Sequence, residues 1–229
     1  YAGVSAAEQR GLEAVRAILT DGAVASATLQ GAGLSDAALV LDEDVTQTAP
    51  LLALNLRRLR YRKAAVMAAG FQLPAWNDAG VRELAQLNLP NLFIAATHAT
   101  RLDDEAWRTL HASPRELVHF AAAVLAALEA TAPPDNAAGP AAAMAWEAAQ
   151  ALLKAQRPLV VAGLADGEPA LLQAAAAIAG RLKAKGRAAE LFLCLPEGNS
   201  LGLALMQAPG LEAAMAQGAA DTVVILEND

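Results

Sequence analysis

Cysteine is nearly missing: one residue in 229, Cys194. A lone thiol excludes an intramolecular disulfide, a four-cysteine zinc site and a cysteine-ligated iron–sulfur cluster, and it suits a reducing compartment. Aromatic residues make up only 4%. Long apolar runs are missing too. The stretch from Phe120 to Leu128 is ended by Glu129, well short of the ~18 to 20 residues that span a bilayer. No signal-peptide pattern is present. Positive charge is in deficit, 17 Lys and Arg against 24 Asp and Glu, for a net charge of -7. That balance argues against nucleic-acid binding by the chain as a whole. Neither a G-x-x-x-x-G-K-[ST] loop nor G-x-G-x-x-G after a strand occurs, which removes the common phosphate cradles.

What is abundant is alanine, about a quarter of the chain, within a hydrophobic fraction of 55%. A chain of this size buries about 70% of its unfolded surface, enough for a core without staples. Tyr1 at the start, and a strand-like run at Thr222 to Leu226 that stops at Asp229, predict a piece of a longer polypeptide.

The pattern predicts a helix within 1–22, opened by the capping-box spacing Ser5 to Glu8 and closed at Gly22. Ala38 to Leu41 is a short unbroken apolar run, the signature of a strand buried on both faces, and Leu92 to Ala96 repeats it. Thr48 as N-cap and Pro50 open a helix through Arg62; Val66 to Ala69 reads as another short strand. Pro114 starts a helix to Leu128, with Ser113 as its N-cap. Thr131 to Pro140 holds Pro133-Pro134 and Gly139-Pro140, the best linker candidate. Beyond it the pattern alternates: helix about 141–156, strand Pro158 to Ala162, helix Pro169 to Leu182 and strand Glu190 to Leu195. A glycine-rich loop follows from Pro196 to Gly210, then a helix about 211–217 and strand Thr222 to Leu226. Strand starts at 158, 190 and 222 are spaced as parallel strand–helix units require. The fold class is therefore α/β, doubly wound parallel (Rossmann-like) sheets with helices on both faces. The organisation reads as an N-terminal helix (1–22), a first α/β unit (23–131), a linker (132–140) and a second unit (141–229).

Candidate chemistry is thin. His98 follows a strand, where open α/β sheets bind ligands, but has no evident partner; His111 and His119 match no metal-ligand spacing. These read as loop, surface or helix-packing histidines. Cys194 sits inside an apolar strand and reads as buried and inert. The basic run Arg57 to Lys63 could bind an acidic partner, but it reads first as a helix end complementing its dipole and solvating its outer face. Acids close two predicted strands, Asp42-Glu43-Asp44 and Glu227-Asn228-Asp229. Such acids either accept a ribose hydrogen bond or cap loops, and the spacing alone does not choose. No catalytic or metal residue is expected, and Asp42, Glu43, Asp44, Asn199, Gly202 and Glu227 remain as candidates for a vestigial crevice. A parallel sheet would gather up to five carboxylates around that mouth, repelling the phosphates of a dinucleotide.

The stretch Leu39-Val40-Leu41-Asp42-Glu43-Asp44-Val45-Thr46-Gln47-Thr48-Ala49-Pro50 resembles the large iron–sulfur subunit (the G subunit) of bacterial NADH-quinone oxidoreductases, the respiratory complex I family. The likeness continues in Leu51 to Lys63, Thr100 to Asp104, Pro158 to Gly163, Asn199-Ser200-Leu201-Gly202 and Val223 to Asp229. It implies a slice of that subunit's molybdopterin-oxidoreductase-like C-terminal part. The 4Fe–4S and 2Fe–2S clusters would lie elsewhere in the subunit, with no cofactor in this slice. It further implies an inactive structural domain of an enzyme passing electrons from NADH to quinone. Its partners would be other subunits of the hydrophilic arm, on the cytoplasmic side of the inner membrane, without nucleic acid and without membrane insertion of its own. Asn199 to Gly202 with Met206, Pro209 and Gly210 resembles a loop near the pterin dinucleotide of catalytic members, except that Gln207 stands where the pattern has glycine. Two rival readings are a fragment of a catalytic molybdopterin-dependent oxidoreductase and an unrelated nucleotide-binding module.

Overall fold

The computed structural model describes residues 6–74, 76–87, 90–133, 139–164, 169–207 and 216. Helix α1 (Ala6–Asp21) leads to the two-residue strand β1 (Ala25–Ser26) and the single turn α2 (Leu29–Ala32). Strand β2 (Ala37–Leu41), short α3 (Val45–Thr48), long α4 (Pro50–Gly70), α5 (Asp78–Leu87) and β3 (Leu92–Ala96) follow. A 3-10 turn at Asp103–Glu105 precedes β4 (Arg108–His111) and α6 (Pro114–Ala127). The chain continues through α7 (Pro140–Lys154), β5 (Pro158–Gly163), α8 (Pro169–Ala184), β6 (Glu190–Cys194) and α9 (Ser200–Met206).

Among the described residues the strands form one six-stranded sheet in the order β1-β6-β5-β2-β3-β4, and every neighbouring pair is parallel. The segments before and after the proline-rich stretch thus share a sheet, with β2 and β5 paired at its centre. Asp36 holds the joint. Its carboxylate accepts from the amides of Gln156 at 2.7 Å and Arg157 at 2.9 Å, fixing the register in which Ala37 faces Pro158.

Residue alternation divides the core. Ala37, Leu39 and Leu41 face one side with Phe93, Val160 and Leu191, where α1, α6, α7 and α8 cover them. Ala38 and Val40 face the other with Ile94 and Val161, under Leu52, Leu56 and Leu59 of α4. Chain progress from the centre runs in opposite directions, from β2 to β3 and from β5 to β6. Right-handed crossovers then place the connecting helices on opposite faces, which is the doubly wound Rossmann-like arrangement. The alanine excess has its use here. Ala121, Ala145, Ala148, Ala149, Ala175 and Ala179 are buried between α6, α7, α8 and the sheet, and small side chains let these helices approach closely.

Several expectations need correcting. Val66 to Ala69 is not a strand but the last turn of α4, which runs unbroken to Gly70. Four apolar residues do not distinguish the two states, and no Gly or Pro interrupts the pattern. The basic run consequently lies in the middle of α4 rather than at its end, so it cannot serve the dipole, whose influence fades within the last turn. The N-cap of α4 is Ala49, and Thr48 closes α3. The stretch from Pro196 to Gly210 includes α9. Strand β4 escapes the sequence pattern because it is an edge strand, mostly exposed. Its outer flank is covered by Glu147 of α7, which accepts from Arg108 Nε at 3.0 Å and Trp107 Nε1 at 3.1 Å. Ser113 does close the start of α6, donating its amide to Glu116 at 2.9 Å. Ser5, the 211–217 helix apart from 216, and the Thr222 to Leu226 strand lie outside the described residues.

Candidate functional site at the centre of the carboxyl edge

The strand order reverses between β2 and β5, and in open α/β sheets a crevice at such a switch point, outside the strand carboxyl ends, is where ligands bind. Three acids leave β2 there. Asp42 and Glu43 are each 4% exposed, unusual burial for carboxylates. Asp42 adopts φ 49°, the left-handed region that Asp tolerates better than most residues. Its amide donates to Ala95 O at 2.8 Å and its Oδ1 accepts from Thr97 N at 3.3 Å, tying the end of β2 to that of β3. Asp44 turns the other way and caps α3, accepting from the amide of Thr46 at 3.0 Å and from its hydroxyl at 2.5 Å.

Glu43 points toward β5. Thr48 donates its hydroxyl to Glu43 Oε1 at 2.6 Å, and the other carboxyl oxygen occupies the space over Gly163, where any Cβ would overlap it. Burial raises the Glu43 carboxyl above its ordinary value. The Thr48 hydrogen bond opposes that, Asp42 and Asp44 raise it further, and nearby His98 works against them. At the end of β6 the Cys194 thiol is pushed up to about 12, first by burial and then by Glu43. The switch point therefore holds a carboxyl raised above its ordinary value and an inert thiol, which is a poor nucleophile and a poor metal donor. Among the described residues no group of three or more His, Cys, Asp or Glu side chains could hold a metal ion.

The raised carboxyl has a pH consequence. Glu43 binds its proton more tightly folded than unfolded, so it contributes stability fully present below its ordinary value of 4.5 and lost as pH rises through the folded value. Glu43→Gln keeps an acceptor for Thr48 without that titration. The difference in urea midpoint between the variant and the native chain is expected to move in the variant's favour between about pH 4.5 and pH 8. A constant difference would mean that Glu43 is ionised in the folded chain.

Of the remaining candidates, His98 lies close enough to Glu43 to favour its ionised form. Asn199 is the N-cap of α9, which packs on α1. Its side-chain oxygen lies against Gly202, filling the space a Cβ would take there. Gln207 takes φ 52° at the end of α9, a left-handed conformation that favours glycine, the residue the resembled pattern has at this place. Glu227, Asp229, Pro209 and Gly210 lie outside the described residues. His98 is exposed and its Nδ1 lies 3.2 Å from the Thr97 hydroxyl. His111 Nε2 pairs with Asp103 at 2.7 Å across two loop-edge positions, and His119 is exposed on α6. Residues that sequence reasoning missed are Thr97, Thr48 in its bonding role, and Gly163. Only the glycine left a signal, since glycine at a strand end marks close approach of another group.

No protein-family model matches the chain. It is 41% identical over 233 residues to the G subunit of the NADH-quinone oxidoreductase of Pseudomonas fluorescens and 40% identical over 236 residues to that of Pseudomonas putida. The corresponding protein of Escherichia coli K12 is 34% identical over 233 residues. Each match takes in 100% of this chain and 26% of the relative, so the chain spans about a quarter of the length of the curated relatives it matches. By sequence the chain is thus homologous, from end to end, to one segment of the G subunit of NADH-quinone oxidoreductase.

Proposed function

We propose that this chain is a non-catalytic structural domain of the large iron–sulfur subunit of NADH-quinone oxidoreductase. The parent enzyme would pass electrons from NADH to quinone through iron–sulfur clusters held elsewhere in the subunit and the complex. The domain would pack against other subunits of the hydrophilic arm, peripheral to the inner membrane on its cytoplasmic side. Among the described residues no helix is long and apolar enough to cross a membrane, which accords with that placement.

One observation carries the non-catalytic reading: the switch-point crevice is occupied by the chain's own side chains. Glu43 covers the end of β5, and Asp42 and Asp44 are spent on Thr97 and α3. In the loop that resembles a pterin-dinucleotide loop, Asn199 lies over Gly202 and Gln207 replaces the pattern's glycine, and both weigh against a pterin there.

The test has three arms. In calorimetry at low salt, the purified chain is expected to show no saturable binding of GDP or NADH tighter than about 10 μM. Elemental analysis after chelator is expected to find no stoichiometric iron, zinc or molybdenum. In the assembled oxidoreductase, Glu43→Gln is expected to leave NADH–quinone turnover within about twofold of the native rate. Tight nucleotide binding, bound metal or a large loss of turnover with normal assembly would each defeat the reading.

A further inference from the structure

The basic run is the one sequence feature that neither the sheet nor the switch point absorbs. Five of the chain's 17 lysines and arginines fall between Arg57 and Lys63, in a chain of net charge -7. The helix sorts them by face. Leu54, Arg57, Arg58, Tyr61, Arg62 and Ala65 follow the i, i+3, i+4, i+7 spacing of one side of α4 and, with Arg60 and Glu105, line a shallow groove.

The charges in that groove are unevenly compensated. Arg60 pairs with Glu105 at 3.1 Å, and Arg62 donates to the Ser35 carbonyl. Arg57 and Arg58 are exposed and make no ion pair among the described residues. Arg58 also lies close enough to Arg62 to oppose its charge, adding to the effect of burial, while Asp36 offsets part of this at Arg62 and leaves Arg57 and Arg58 as the uncompensated pair. Fixed cations that repel one another are stabilised by an anion placed between them. The groove also has apolar surface, for Leu54 is 44% exposed and Tyr61 52%, both large side chains of the kind that a partner covers.

We infer that this face of α4 docks a short protein segment rich in Asp and Glu with interspersed apolar side chains. Four of the five cations are arginines, whose planar forks pair with carboxylates in a bidentate way that lysine cannot match. A mixed acidic and apolar segment satisfies both halves of the groove. A nucleic acid or an anionic bilayer fits less well, because each carries dense negative charge over a wide area and meets the net repulsion of an acidic protein beyond the patch. The inference goes beyond the proposed function and stands independently of it.

The test uses the full chain and a fluorescein-labelled peptide holding glutamate and leucine in equal number, followed by anisotropy at about 50 mM salt, where the Debye length exceeds 10 Å. Saturable binding is expected, weakened about tenfold or more in Arg57→Glu/Arg58→Glu and by a smaller factor in Arg57→Gln/Arg58→Gln. Arg115→Glu, on α6, is expected to bind as the native chain does. Because both target side chains are exposed, unfolding midpoints of the variants should stay near native. The inference is overturned if the native chain shows no saturable binding, or if the charge-reversed chain binds equally well. It is also overturned if phosphatidylglycerol vesicles or a single-stranded DNA oligonucleotide bind more tightly than the peptide through the same arginines.

Discussion

Leu39→Ala is expected to lower the unfolding free energy by about 2 to 5 kcal/mol. The side chain is fully buried at the middle of β2. It stands in register with Phe93 of β3 and Val160 of β5 and belongs to the core under α1, α6, α7 and α8. A strand hydrogen-bonded on both edges cannot shift to fill the hole, so the cavity term adds in full to the lost burial. His98→Ala serves as the contrast. That ring is exposed and its hydrogen-bonding neighbour is the adjacent Thr97 hydroxyl, so a change within about 0.5 kcal/mol is expected. Denaturant midpoints of the two variants decide the matter. A histidine variant more damaged than the leucine variant would assign His98 a structural or binding role, with nearby Glu43 as its first candidate partner.

Gly163→Ala should be the second large effect. Adding one methyl at the end of β5 drives it into the Glu43 carboxyl, which is buried and held by Thr48. Overpacking of this kind costs about 1 to 3 kcal/mol, and displacing Glu43 from Thr48 adds about 1 kcal/mol for the broken bond. Removing the obstacle should return much of this. The double variant Glu43→Ala/Gly163→Ala is expected to be less destabilised than the sum of its single changes, with a coupling of about 1 to 3 kcal/mol. Additivity within experimental error would show that Glu43 swings aside freely and does not fill the crevice.

How much of this is legible in the sequence depends on where burial supplies the signal. Strands β2, β3 and β5 are covered on both faces, and unbroken apolar runs announce them. Strands β1 and β4 lie at the edges, where Ala25 and Ser26 are exposed and β4 is mostly so, and no run of apolar residues marks them. The pattern cuts helix α4 short because its exposed positions include Val66 and Leu54, which blur the contrast between its faces. The acids after β2 are legible as a group and opaque as individuals. Whether Glu43 meets water or Gly163 depends on β2 lying beside β5, a pairing of residues 43 and 163 that no local pattern encodes. The same holds for the basic run, whose neighbours in sequence suggest a helix end although α4 continues to Gly70.

The pairing of β2 with β5 also sets a timetable. Ala37 faces Pro158 and Leu41 faces Ala162, so the central joint closes across about 120 residues of chain. At ribosomal speeds of about 5 to 20 residues per second, β2 leaves the ribosome about 6 to 24 s before its partner does. During that interval its neighbour on one side, β3, can pair, while the other edge offers a row of unpaired amides and carbonyls flanked by apolar side chains. The proline-rich stretch near 132–140 is synthesised inside this window. The late arrival of β5, anchored at once by the Asp36 carboxylate, is what removes that adhesive edge, so nascent-chain binding factors have most to protect between the emergence of β2 and that of β5.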